Sequence, residues 1–183
     1  MDTSEFLDAT GIEQYQSLIG AMQWAVSIGR IDITMAVMTL SSFRAIPRRG
    51  HMDRVRRVYG YLSKMKDAAI RVHTDEPDYS SLPDQEFDWA QSVYGNVSEL
   101  LATDAPSPLG KYVTLTHYFD ANLYHDMLTG RSVTAILHLF NKTPIDWYSK
   151  KQATVETATY GSEFVVARTC VDQVVDLRTS LRY

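Results

Sequence analysis

The sequence predicts an α+β protein in which an N-terminal three-helix module precedes a β-β-β-α unit. Three observations predict it. Apolar residues recur at spacings of three and four through the first third of the chain, as a helix buried on one face requires. A middle stretch, Thr74 to Pro108, holds four prolines and eight acids and has no Lys, Arg or His. After about residue 111 the pattern changes to strict alternation, the period of a half-buried strand. The boundaries that follow are 1–73 for the helical module, 74–110 for an acidic connector, and 111–183 for the β-rich part.

The elements can be justified in order. In 12–29, Ile12, Tyr15, Ile19, Met22 and Val26 make one apolar stripe, and Gly29 suits a helix C-terminus. Asp32 can N-cap a second helix running through Arg44, with Met35, Val37, Met38, Leu40 and Phe43 as its apolar residues. Pro47 stops it. A third helix spans His51 to Lys66 on the stripe Val55, Val58, Tyr59, Leu62 and Met65. Arg54, Arg57, Tyr61 and Lys64 share another face of that helix. The connector has one candidate ordered piece, around Phe87–Ala90. Lys111–Phe119 alternates as a first strand, Ser132–Phe140 is the second, and Asn141-Lys-Thr-Pro144 is a turn. Ile145–Ser149 is the third strand. Two hairpin-like links make an antiparallel meander. The final helix, Thr157–Arg178, carries a broad apolar face from Tyr160 to Leu177.

Composition excludes several classes. At 45% hydrophobic the chain can bury a core. It has no run of roughly 18 apolar residues, so no membrane span is expected. The acidic start MDTSEFLDAT has no signal-peptide pattern. The single cysteine, Cys170, cannot form an internal disulfide and suits a reducing, intracellular setting. It sits among apolar neighbours as a buried, inert thiol would. Nine Lys/Arg against two acids lie between Arg44 and Arg71. Such a block either screens the acidic connector or holds a polyanion.

Asp120 raises the functional question. It ends the alternating run Val113–Phe119, where a carboxylate costs free energy unless it is paired, hydrogen-bonded or bound to metal. The alternative is a local turn or a cap on 121–124. His117 and His125 flank it, but H-x2-D-x4-H without cysteines is a poor zinc pattern, and two surface or satisfied histidines are the simpler reading. Asp172 and Asp176 lie two and three turns beyond Glu163, where solvent-facing or capping roles are expected. Thr159, with Ser162 and Glu163 close behind, reads as a loose capping box. No Gly-rich phosphate loop and no Ser-His-Asp arrangement is present.

Three stretches resemble the C-terminal part of the Pol polyprotein of copia-type (Ty1/copia) LTR retrotransposons. YQSLIGAMQWAVSIGRIDITMAV resembles the segment after the reverse-transcriptase palm, YRSLVGSLLYL…RPDIAYAV. HMDRVRRVYGYLSKMKD resembles the helix HWxAVKRILRYLKGTxD. FDANLYHDMLTGRSVTAILHLFNKTPIDWYSKKQATVETATYGSEFVVA resembles YSDADWAGDxxxRKSTSGYxFxLGxxPISWxSKKQxTVxxSSTEAEYxAL. The likeness covers nearly all of the chain outside 74–110. Its most specific run is DWYSKKQATVETAT before a Glu-bearing helix. Ile31 and Asp146 stand where the family usually has proline and serine.

The resemblance implies a thumb-like helical module followed by the N-terminal half of an RNase H-like domain. Such domains cut the RNA of RNA–DNA hybrids with two divalent metals, Mg2+ or Mn2+, held by carboxylates. Asp120 matches the first acid and Glu163 the second, as catalytic and metal-binding residues. Lys150, Lys151 and Gln152 match the strand-to-helix approach that faces the hybrid, and Arg54, Arg57 and Lys64 would present the basic helix to phosphates. Asp126 matches an acid that is not a metal ligand. The family's third aspartate lies on a strand after the helix, and this sequence ends at Tyr183 before any such motif. The polymerase palm is likewise outside it. The expectation is therefore a hybrid-binding fragment with weak or no nuclease activity alone. The alternative is a co-opted, non-catalytic structural subunit that finds a partner, or a second copy of itself, through an incomplete sheet.

Overall fold

The structure is a computed structural model and describes residues 2–75, 78, 80–81, 88–95, 102–107, 110 and 113–181. Its first helix, α1 (Ala9–Ser27), starts earlier than the apolar stripe suggests, because the Asp8 carboxylate caps it by accepting the Gly11 N–H at 2.8 Å. It stops where expected. Gly29 takes φ +126°, a conformation that side chains resist.

The second helix is shorter than the sequence predicts. A single 3-10 turn, Ile31–Ile33, precedes α2 (Thr34–Ser41). Asp32 does not cap it, since the Arg30 guanidinium holds its carboxylate at 2.7 Å. At the far end Phe43 and Arg44 bond three residues back, to Leu40 and Ser41, so the chain tightens and leaves the α-helix before Arg44. The third helix, α3 (Arg49–Lys64), buries Met52 and Val55. Met65 lies past its end and is exposed.

The three helices meet around Tyr15, Ile19, Met22, Ile33, Val37, Leu40, Met52 and Val55. Tyr15 is fully buried, and its hydroxyl donates to the Leu40 carbonyl at 2.8 Å, which removes the cost of burying that group. The N-terminal arm is strapped onto the start of α3. Phe6 bridges to Arg48, whose guanidinium lies 3.7 Å from the Phe6 ring centre. His51 closes this end: it is buried, stacks on Phe43 at 3.9 Å, and accepts the Arg48 N–H on Nδ1 at 3.1 Å.

Among the described residues of the connector, the regular structure is one 3-10 turn, Trp89–Gln91. Phe87, part of the piece expected there, lies outside the described residues. The β-rich part is a meander of β1 (Leu115–Asp126), β2 (Arg131–Phe140) and β3 (Thr143–Lys151), ordered β1-β2-β3 and antiparallel throughout. Residues 111 and 112 of the expected first strand lie outside the described residues. Asn141 and Lys142 both take positive φ, 46° and 65°, as a two-residue hairpin turn demands.

β1 is longer than expected and runs straight through Asp120. Residues 121–124 are therefore strand, and the turn or cap proposed for Asp120 does not form. Beyond Asn122 the register shifts: Asn122 faces Val133, whereas Asp126 faces Arg131. Tyr124, at φ +53°, sits inside this irregularity.

Helix α4 (Thr159–Ser180) packs on one face of the sheet, where Ala121, Ile136, Val166 and Cys170 form a second core with Tyr148 and Val174. Its N-cap is Ala158, so Thr159 does not cap it. The Ser162 hydroxyl instead donates to the Thr159 carbonyl at 2.8 Å. The helical module sits against the other face, on the β3 side. There the Trp147 indole N–H donates to the Val26 carbonyl at 3.0 Å, and Thr143 Oγ1 accepts the His73 N–H at 2.8 Å.

The His51 environment gives a testable pH dependence. Burial, the largest cause, holds its pKa below 6.5 despite Asp2 nearby. The unfolded chain therefore binds more protons just below that value, and stability present above pH 6.5 is lost as pH falls through it. Replacing His51 by Asn, which keeps an acceptor but does not titrate, should flatten the urea midpoint between pH 7 and pH 5.

Candidate functional site

Register decides what surrounds Asp120. Ala121 faces Thr134 and packs beneath α4, so Asp120, paired with Ala135, lies on the opposite face of the sheet. Asp120 is exposed. Glu163 comes from the second turn of α4 and is half-buried. Its Oε1 accepts the Ala121 backbone N–H at 3.3 Å. The two acids expected from the sequence thus approach β1 from opposite faces, and the Glu163 carboxylate ends one residue from Asp120.

The other acids are engaged or distant. Asp126 Oδ2 receives Lys151 Nζ at 2.6 Å and the Thr129 hydroxyl at 2.9 Å, and Oδ1 receives the Leu128 N–H at 3.2 Å. The Lys151 hydrogen bond is the chief reason its pKa falls to about 2. Asp172 and Asp176 are exposed on α4. A two-metal centre needs more oxygen donors than two carboxylates offer. Among the described residues no three His, Cys, Asp or Glu side chains group so as to hold a metal ion.

The histidines raised by spacing take separate partners. His125 Nδ1 meets the Asn122 amide at 3.2 Å. His117 Nδ1 lies 2.7 Å from Nδ1 of the fully buried His138, whose Nε2 meets Gln173 of α4 at 3.0 Å. Burial, with His138 alongside, lowers the pKa of His117. This chain of side chains ties both long strands to α4 and was not visible in the sequence. The only available signal was that the hairpin places 117 opposite 138, and the register shift near Tyr124 hides that pairing.

The residues expected to meet nucleic acid divide into three groups. Arg54, Arg57 and Lys64 lie exposed on α3, together with Tyr61. Lys150 is exposed, but Lys151 is committed to Asp126. Gln152 corrects the expectation: it is 4% exposed, and its amide donates inward to Thr134 Oγ1 at 3.3 Å and to the Ser162 carbonyl at 3.0 Å. It pins the loop after β3 to the start of α4, out of reach of a phosphate. Cys170 is buried, and burial raises its pKa, as an inert thiol requires.

The architecture defines a class: an α+β chain with a basic helical module seated on a short meander whose far face carries a Glu-bearing helix. Against known proteins, the chain is 33% identical over 104 residues, 57% of its length, to a protein of Saccharomyces cerevisiae named "Putative transposon Ty5-1 protein". The match spans 30% of that relative. The likeness supports a retrotransposon-derived origin. No family model matches the chain, and no solved structure does. No helix among the described residues is long and apolar enough to cross a membrane.

The Asp126–Lys151 pair makes a direct prediction. In Lys151→Met the Asp126 carboxyl, followed by NMR, should titrate higher, moving from about 2 toward 3.8. The stability the pair adds is present above pH 3.8 and is lost as pH falls toward 2. At pH 7 the substitution should cost about 1 kcal/mol, and added salt should shrink that difference.

Proposed function

We propose that this chain is a fragment of a copia-type retrotransposon Pol, comprising thumb-like helices and the first half of an RNase H-like domain. It holds RNA–DNA hybrid and does not cut it alone. The reading draws on the Ty5-1 likeness and on the exposed basic face of α3. One observation carries it furthest: Glu163 reaches the Ala121 N–H beside Asp120. A strand-borne Asp and a helix-borne Glu in that relation suit the first two acids of a metal-dependent nuclease, while no third acid joins them among the described residues. With further oxygen donors and Mg2+ or Mn2+, these two acids are the ones this reading assigns to the metal site.

A second reading rests on a separate observation. The outer face of α4 leaves Tyr160, Phe164, Val171 and Val175 more than half exposed, a surface that suits a protein partner. On that reading the unit is a non-catalytic scaffold.

The test is a labelled RNA–DNA hybrid mixed with the purified chain and Mn2+. The expected result is binding that weakens at least about tenfold between 50 and 200 mM salt, with no cleavage. Mn2+-dependent cleavage that is lost in Asp120→Asn would show a complete metal centre and overturn the non-cutting assignment. Neither binding nor cleavage, with concentration-dependent self-association in sedimentation, would favour the scaffold.

A further inference from the structure

One row of side chains crosses all three strands on the α4 face of the sheet. His117 of β1 pairs with His138 of β2, and His138 pairs with Asp146 of β3. His138 is fully buried and His117 is half-buried. Their Nδ1 atoms lie 2.7 Å apart, and the rings meet edge to face with centres 4.9 Å apart. The other nitrogen of His138, Nε2, lies 3.0 Å from Oε1 of Gln173 on α4.

These partners fix where the protons sit. Gln173 Oε1 only accepts, so neutral His138 carries its proton on Nε2 and presents a lone pair at Nδ1. His117 then donates to that lone pair from its own Nδ1 and keeps a lone pair on Nε2. A first added proton goes to Nε2 of His117 and leaves the Nδ1–H···Nδ1 bond intact. A second must go to Nδ1 of His138. Both Nδ1 atoms would then carry hydrogens 2.7 Å apart, on two cations with no acceptor between them. The bond does not survive that state.

The surroundings do not relieve the second charge. On β3, Asp146 is exposed and its Oδ1 takes the Trp147 N–H at 2.9 Å. A carboxylate there can steady one cation but supplies no acceptor between the two Nδ1–H groups. α4 brings the neutral Gln173, the buried Cys170 thiol, and Asp172, Asp176 and Arg178, all three exposed. On β1 the neighbours on this face, Leu115 and Phe119, are apolar.

We propose that His117 and His138 form a proton-limited clasp: with at most one added proton the pair holds α4 on the sheet, and a second proton releases the helix. The inference does not depend on nucleic-acid binding. Burial, with His138 alongside, already holds the pKa of His117 below 6.5. The opened form therefore binds more protons than the closed one, and closure present above pH 6.5 is lost as pH falls through and below it.

Cys170, the single cysteine, is 3% exposed in the core beneath α4 and reports on its release. The experiment measures thiol labelling of the full chain from pH 7.5 to 5.5, the range where histidine titrates. Each rate is divided by that of the urea-unfolded chain at the same pH, which removes the ionisation of the thiol itself. Wild-type protection should fall at least about tenfold across the range. His117→Asn keeps an amide that can turn either its nitrogen or its oxygen to His138, so its protection should change less than about threefold. His51→Asn, in the other core, should keep the full fall. Circular dichroism at pH 7.5 checks that each variant is folded. Wild-type imidazole nitrogen shifts at pH 7.5 should show His117 protonated on Nδ1 and His138 on Nε2. Wild-type protection that is flat with pH, an undiminished fall in His117→Asn, a fall abolished in His51→Asn, or both rings protonated on Nε2 would each overturn the clasp.

Discussion

A three-stranded sheet is too narrow to be stable bare, and the architecture of this chain follows from how its two faces are covered. β2, the middle strand, buries Val133 on one face and Ile136 and His138 on the other. α4 covers the second of these. On the first face the helical module meets β3, where the Trp147 indole N–H donates to the Val26 carbonyl at the end of α1. That carbonyl also accepts the Gly29 N–H at 3.2 Å, so the indole adds a second donor to it at the end of α1. Together with the His73 N–H on Thr143 Oγ1, that bond joins the module to the sheet.

The same two-sided covering explains the state of the acids. Asp120 lies on the module face and Glu163 arrives from the α4 face; they come near each other only along β1. Each is positioned without a metal, Glu163 by a backbone N–H and Asp120 by its place in the strand. Asp126 is withdrawn by Lys151.

Much of this was legible in advance, for physical reasons that differ by element. The α+β order was readable because the apolar period changes from 3.6 to 2 along the chain; α4 forms where its apolar residues suggest, but Tyr160, Phe164, Val171 and Val175 of that face are exposed and Val166 and Cys170 are what it buries. The second helix was misjudged at both ends: Asp32 meets Arg30 instead of a helix terminus, and the Phe43 and Arg44 N–H groups bond three residues back. Asp120 looked like a strand end because the sequence after it is polar, yet β1 continues to Asp126 through an irregularity at Tyr124 that composition does not announce. Gln152 looked like a surface residue because it follows two lysines, and only the packing of α4 on β2 shows its amide turned inward. The partners of His117 and Lys151 are side chains more than twenty residues away in sequence, beyond any periodicity argument.

The most direct measurement is an amide chemical-shift map of the chain titrated with a short RNA–DNA hybrid. Perturbations should concentrate on the exposed face of α3 around Arg54, Arg57 and Lys64, and on β1 around Asp120. Shifts confined to the outer face of α4 around Phe164 and Val171, or no shifts at concentrations where the chain stays folded, would contradict the account.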